Sequence, residues 1–244
     1  MSSERRPLFS EGLRRVDRLR LGTTDMPWPL AISNAADIRC HFKRRQSENP
    51  AFYDGEVYVL REAWQCGPEV EGLFSLERFS SFLYWRDGLG SDAATLDGFG
   101  TALVRSSEGH VLAVRAASDT LNSGRIFLPG GFIDARDREP GGLIDIDRSI
   151  ARELAEETGL KVDDLARVPG YIVGRRGRHC CFCVEFRSAL GSRDLRELML
   201  EGARRDKDGE LADVVIVARR ADLDSYDVLD HARLVIESVL SHRA

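Results

Sequence analysis

Apolar residues recur along this chain at two spacings, every second position and every third or fourth, and each spacing predicts its own element. The runs "DIRCHFK" and "GEVYVLREAW", the latter after the turn signal "NPAFYDG", read as strands, and "VEGLFSLERF" as a third. "SSFLYWRDGL" is expected to form a short helix after them. Ahead of these, the first 35 or so residues mix charges with "MPWPL" and suggest an extended arm with a short helix around Glu11–Arg18. The Gly-rich connection "GLGSDAATLDGFG" places a boundary near residue 95, dividing the chain into an N-terminal extension with strands over 1–95 and a second unit over 96–244.

The second unit is more regular. "GTALVRSS" and "HVLAVRAA" are two strands joined at Glu108-Gly109, and "RIFLPGG" is a short strand running into Pro129, Gly130 and Gly131. A helix is expected from about Asp145 to Thr158, stopped by Gly159 just past its end. "GYIVGRR" and "CCFCVEFRS" suggest a hairpin. "SRDLRELMLEGARR" reads as a helix, "LADVVIVARR" as a strand and "YDVLDHARLVIESVLSHR" as a closing amphipathic helix. Strands interrupted by helices in this mixture predict a mixed sheet between helical layers.

The helix ending at Thr158 carries the first chemical question. Successive helical residues turn by about 100°, so Ile146, Ile150 and Leu154 form a stripe that should face the sheet. Glu153, Glu156 and Glu157 fall together on an adjoining face, and two of them lie at the helix C-terminus, the wrong end for negative charge. Such a cluster either faces water or awaits a cation. A hard divalent ion such as Mg²⁺ takes a few carboxylate oxygens and keeps positions for water and phosphate. The nearby "LPGG" allows the backbone to turn sharply and approach other groups closely.

Charge and composition narrow the partners. The 244 residues carry a formal net charge of -5, which gives no general case for nucleic acid or an anionic membrane as a partner. No apolar run approaches the roughly 18 residues that span a bilayer, and the arginine-rich start lacks a signal-peptide core, so the cytoplasm is the expected compartment. Three of the five cysteines fall in "HCCFCVEF". With no second CxxC pair and with Cys180 and Cys181 sent to opposite faces of a strand, they read as buried small hydrophobes in preference to a zinc site with His179.

The pair Gly130-Gly131, a loop, and then "RELAEETGL" resemble the signature of Nudix hydrolases: Gly, five residues, Glu, seven residues, then Arg-Glu-apolar-x-Glu-Glu-x-Gly-apolar. Arg152, Glu153, Leu154, Glu156, Glu157, Gly159 and Leu160 match every fixed position of its second half. The first half departs. Ile144 stands where the family has glutamate, and Arg152 follows Gly131 by 21 positions instead of the family's 14, a loop seven residues longer. In the family that glutamate supports the helix arginine. Asp145, Glu139 or Asp134 could take its place, and the residues alone do not choose among them.

The resemblance implies an α/β (α+β) fold, a Nudix-like αβα sandwich with a mixed sheet, here with an N-terminal β-rich extension. It implies a pyrophosphohydrolase that uses Mg²⁺, or Mn²⁺, to cleave the diphosphate linkage of a nucleoside diphosphate derivative. Glu153 and Glu157 would be direct metal ligands, with Glu156 binding a second ion and Arg152 completing the catalytic set. Gly130 and Gly131 would shape the backbone near the metal and substrate. Glu210, in the loop before "LADVVIV", matches a position where some relatives carry a catalytic glutamate; an exposed turn acid is the other reading. Arg175 and Arg176, with Arg178, could meet substrate phosphates or serve solubility. "NPAFYDGEVYVL" is similar to a segment of a Nudix branch acting on UDP-sugars, and Phe52, Tyr53, Tyr58, Trp64 and Trp85 are available either for base stacking or for the core. UDP-glucose and ADP-ribose represent the expected substrates. The expected partner is therefore a small nucleotide, with no nucleic acid and no membrane, and a homodimer is compatible with this. The altered first half leaves one alternative, a catalytically idle nucleotide-binding or regulatory module on the same fold.

Overall fold

The computed structural model describes residues 4–118, 120–206 and 209–240. The first part of the chain contains strands β1 (Arg6–Pro7), β2 (Gly12–Val16) and β3 (Arg18–Thr23), helices α1 (Pro29–Ser33) and α2 (Ala35–Glu48), strands β4 (Glu56–Cys66) and β5 (Glu69–Arg78), and helix α3 (Phe79–Arg86). There follow β6 (Asp97–Arg105), β7 (Val111–Ala116), β8 (Ile126–Phe127), β9 (Gly130–Phe132), α4 (Ile146–Thr158), β10 (Ala166–Arg167), β11 (Tyr171–Arg176), β12 (His179–Arg187), α5 (Ser192–Ala203), β13 (Leu211–Val217) and α6 (Asp230–Leu240).

The larger sheet runs β13-β7-β6-β12-β11-β2, with β8 on β7, β9 on β6 and β10 on β12. It is mixed: β6 and β12 are parallel, while β11 is antiparallel to both β12 and β2. Register fixes which helix covers which face. Gly174, Cys181 and Phe99 lie opposite one another across three strands and face α6, through Val235 and His231. Gly100, one position on, points the other way, where a Cβ would meet Ile150 of α4 at 2.7 Å. Helices α4 and α5 thus cover one face and α6 the other, an α/β/α sandwich.

The smaller sheet, β1-β4-β5-β3, is built from the N-terminal part. In "VYVL" of β4 all four side chains are buried, because both faces of the strand are covered. Tyr58 and Leu60 join the main core. Val57 and Val59 join a second cluster around Trp28, Phe82 and Trp85. Phe74 of β5 meets Phe182 of β12 with ring centroids 6.3 Å apart.

Two sequence expectations are corrected here. "DIRCHFK" is not a strand but part of α2, whose buried residues Ile38 and His41 are three apart, as one face of a helix requires. Glu11–Arg18 is not helical. The spacing of Leu13 and Val16 imitates a helical turn, but Asp17 separates two strands: β2 completes the large sheet on β11, and β3 pairs in parallel with β5. In β3, Leu19 and Leu21 alternate with exposed Arg18 and Arg20, the period of a half-buried strand. The closing helix begins later than expected, at Asp230, and residues 241–243 of its expected span lie outside the described residues. Cys180, Cys181 and Cys183 lie on β12 as buried strand residues, their thiols pushed up by burial. Among the described residues no helix is long and apolar enough to cross a membrane.

Candidate active site

Helix α4 begins at Asp145, whose side chain accepts from the backbone N–H of Arg148 at 3.0 Å. It ends at Gly159, held at φ 71° in the left-handed region that glycine adopts without strain. Ile146, Ile150 and Leu154 pin it to the sheet. That stripe aims its acidic flank at β9. Gly130 has φ 154°, and a Cβ there would lie 2.2 Å from the carbonyl oxygen of Gly100, so only glycine brings the strand this close. A Cβ on Gly131 would lie 2.5 Å from Oε2 of Glu153. The two glycines let the carboxylates rest against bare backbone.

The three glutamates divide by environment. Glu157 is 4 % exposed and accepts from the backbone N–H of Gly130 at 3.0 Å. Burial, and then the charges of Glu153 and Glu210, raise its carboxyl well above the usual range. Glu153 is pushed up to about 7 by burial, against the opposing pull of Arg152. Glu156 lies on the rim, bridging Arg136 at 3.3 Å and Arg152 at 3.2 Å.

Arg152 organises this wall. One nitrogen donates to Glu153 at 2.5 Å and to Glu156 at 3.2 Å. The rest of its fork grips Asp137, with contacts of 2.8 Å and 3.4 Å to the two carboxylate oxygens. Burial works against its charge, but the bond to Asp137 and the charges of Glu153, Asp137 and Asp134 outweigh it and strengthen its hold on its proton. Asp137 is fully buried in a short 3-10 turn, Ala135–Asp137, and also accepts from the backbone N–H of Asp134 at 3.1 Å.

Asp137 is therefore the acid that meets Arg152, and the sequence had pointed to three others. Asp145 caps the helix, Glu139 pairs with Arg148 at 3.6 Å, and Asp134 lies 3.6 Å from Arg152 as a secondary charge. The signal was obscured because the lengthened loop changes the count. Its extra residues fold back through a bridge between Arg138 and Ile144 and pair with β3 through Leu143 and Gly22. Ile144 is thereby carried into the main core.

Arg152, Glu153, Glu156 and Glu157, with Asp134 and Arg136, line a cleft of about 440 Å³. Glu210 and Asp206 line the same cleft beside Glu153 and Glu157. At the opposite end stand Asp97, His179, His231 and Arg86. The carboxylate of Asp97 lies 3.0 Å from Nδ1 of His179. His231 is 8 % exposed, its Nδ1 has no hydrogen-bond partner among the described residues, and burial followed by the influence of His179 lowers its pKa to about 3, so it is neutral. Sequence reasoning did not bring these four together, and weighed His179 only beside the cysteines: single residues from four distant segments carry no motif.

Arg175 and Arg176 are not brought to the cleft. Arg175 donates to the backbone carbonyls of Leu8 and Phe9, and Arg176 meets Glu11 at 3.3 Å, so both serve to attach the N-terminal segment. Arg178 donates to the carbonyl of Trp85 and lies over its ring. The candidate stacking aromatics are elsewhere too. Tyr58 and Trp85 are in the cores, Phe52 packs on Phe79, Trp64 lies under Arg5, and Tyr53 is exposed.

The donor set suits a hard divalent ion. The buried Glu157 and the half-buried Glu153, four positions apart on one helix, repel each other when ionised and lack full compensation, and a cation would supply it. Among the described residues no three His, Cys, Asp or Glu side chains already converge as a cage. Arg152 holds one oxygen of Glu153 and the Gly130 N–H one oxygen of Glu157, so a cation would draw on the remaining carboxylate oxygens.

Residues 95–220 match the NUDIX domain. Among solved structures, the chain is similar to a MutT protein from Methanosarcina mazei, at 20% identity over 58% of this chain and 91% of that one, TM-score 0.38. It is also similar to the NUDIX domain of Shewanella oneidensis NrtR complexed with ADP ribose, at 17% identity over 67% and 98%, TM-score 0.42. A third likeness is to a bifunctional NMN adenylyltransferase/ADP ribose pyrophosphatase from Francisella tularensis, at 20% identity over 66% and 45%, TM-score 0.43. No curated protein matches the chain.

Proposed function

The chain belongs to the Nudix family, and from that premise we propose that it hydrolyses the diphosphate linkage of a nucleoside diphosphate derivative with Mg²⁺ or Mn²⁺. Nucleotide sugars such as UDP-glucose, and ADP-ribose, are the candidate substrates. The observation that carries this reading is the buried Glu157 and half-buried Glu153 set beside glycine backbone, with Arg152 anchored on Asp137.

When bound, a divalent ion screens the negative diphosphate and acidifies a water near it. The chain's own residues do the rest. Glu153 and Glu157 would hold the ion from the helix, and Glu156 at the rim would serve a second one. Arg152 fixes the rotamers of Glu153 and Glu156, and Asp137 fixes Arg152. Gly130 and Gly131 keep the floor of the cleft free of side chains so that phosphate oxygens can approach. Glu210 accepts a proton from the attacking water, as the water oxygen bonds to phosphorus and the bridging P–O bond breaks.

Glu157→Gln and Glu156→Gln test the assignment against a panel of nucleoside diphosphate compounds with Mg²⁺. Glu157→Gln should lower mononucleotide release by at least about a hundredfold and Glu156→Gln by less, in the range for removed metal ligands and their supports. Unchanged release by both variants, or none from the unaltered chain on any compound, would sink the reading.

A further inference from the structure

A diphosphate entering the glutamate end of the cleft needs positive charge from the chain, because the carboxylates there repel it. Among the described residues that line the cleft, the arginines are Arg86, Arg136 and Arg152, and no lysine joins them. Two of the three are unsuited by their surroundings. Arg86, bonded to Asn122 at 2.9 Å, belongs to the opposite end. Arg152 has five N–H donors, and all five are taken. Nη1 donates to Glu153 and Glu156. Nε and one Nη2 proton go to Asp137, and the other Nη2 proton goes to the carbonyl of Phe132 at 3.4 Å. None is left for a phosphate oxygen.

Arg136 is placed differently. It sits in the middle of the 3-10 turn Ala135–Asp137. Its backbone N–H donates to Asp134 at 2.7 Å, and its carbonyl accepts from Arg148 at 3.1 Å, so the main chain is pinned on both sides. The next residue, Asp137, turns inward to Arg152, while Arg136 carries its head to the cleft rim with 61 % of the side chain exposed. Asp134 accepts from Nε at 2.9 Å and from Nη2 at 2.6 Å, and Glu156 accepts from Nη1 at 3.3 Å. Three of the five protons are thereby used. One remains on each of Nη1 and Nη2, and such a pair matches two oxygens of one phosphate.

The partners of Arg136 also differ in how firmly they hold it. Glu156 turns Oε1 to Arg136 and Oε2 to Arg152, so it serves a metal ion only by giving up part of that pairing. Asp134 makes the shorter bonds and keeps the guanidinium at the rim. A pinned main chain and an anchored head lose little freedom on meeting a ligand.

We propose that Arg136 is a substrate-binding residue whose two spare Nη protons hold oxygens of the diphosphate at the rim of the cleft. This rests on the reading that the glutamate end takes the diphosphate. Arg136 belongs to the lengthened loop between Gly131 and Arg152, so that loop adds a cation to the cleft as well as bringing Asp137 to Arg152.

The test is calorimetric titration of the full chain with methylenediphosphonate in Mg²⁺, a diphosphate analogue whose P–C–P bridge has no P–O bond to cleave. Arg136→Gln should bind it at least about tenfold more weakly, the scale of a lost charge-assisted contact. Arg136→Lys keeps the charge without the fork and should also bind more weakly than the unaltered chain. Titration with Mg²⁺ alone should show Arg136→Gln binding the ion no more weakly than the unaltered chain, which separates a phosphate contact from a damaged metal site. An Arg136→Gln affinity for the analogue within about twofold of the unaltered chain would overturn the proposal. So would an Arg136→Lys that matches the unaltered chain, a loss in Mg²⁺ affinity that accounts for the whole effect, or no binding of the analogue by the unaltered chain. If Arg136→Gln does not fold, Arg136→Lys decides. Arg136-dependent binding without hydrolysis of any nucleotide would sink only the enzymatic reading; hydrolysis with an affinity indifferent to Arg136 would sink only this one.

Discussion

A carboxyl buried as deeply as that of Glu157 resists ionisation, and that has a consequence for stability. Glu153 and Glu157 bind protons more tightly in the folded chain than their ordinary value of 4.5. Their contribution to stability is therefore present below that value. It is lost as pH rises through about 7 for Glu153, and higher for Glu157. Thermal unfolding in chelator should show a Tm that falls from pH 5 to pH 8. Glu157→Gln should flatten that fall and raise Tm at pH 8, while Mg²⁺ should raise Tm for the unaltered chain and not for the variant. Asp137 makes the complementary case. Asp137→Asn leaves the half-buried Arg152 without its doubly bonded partner while Glu153 and Glu156 remain, and should destabilise the fold by about 1–2 kcal/mol in denaturant titration. Hydrolysis should drop about ten- to a hundredfold, as for other residues that orient metal ligands. A variant with full activity would remove Asp137 from the positioning role.

At the scale of elements, α4 was legible because its signals agree. An apolar stripe at helical spacing, an Asp cap and a stopping glycine fall at consistent places. The helix α2 was misread because a short apolar run does not separate strand from helix by period alone. The packing of α4 on α5 was not legible at all. A Cβ on Gly202 of α5 would lie 2.0 Å from the carbonyl oxygen of Thr158, so the two helices touch through backbone. Gly202→Ala should push α5 away and lower stability by about 1–3 kcal/mol, the range for forced repacking, read as a shift in denaturant midpoint. Because Asp206 follows that helix into the cleft wall, the same change should also raise KM.

At the scale of the whole molecule, the two sheets share one core. Leu60, Val70 and Phe74 from the N-terminal part are fully buried in the cluster that holds Phe182 and Leu103. β2 closes one edge of the large sheet, and α3 brings Arg86 to the cleft. A chain trimmed to residues 95–244 would expose that apolar face and an unpaired strand edge on β11. It should aggregate or lose its near-ultraviolet circular dichroism, whereas the full chain should run as a defined species in gel filtration. A soluble, folded fragment would show that the N-terminal part is dispensable for folding.

What the sequence determined by itself is local. The spacing of Glu153, Glu156 and Glu157, the paired glycines and the helix caps depend on neighbours within a turn or two, and such contacts are written in order along the chain. What tertiary structure alone decided is which distant group meets which. Asp137 reaches Arg152 only because a lengthened loop folds back onto β3, and Arg86 lines the same cleft as His231 only because α3, from the N-terminal segment, packs on β9 through Phe82 and Phe132. Those pairings are set by the closing of loops and the sharing of a core, and no periodicity along the chain records them.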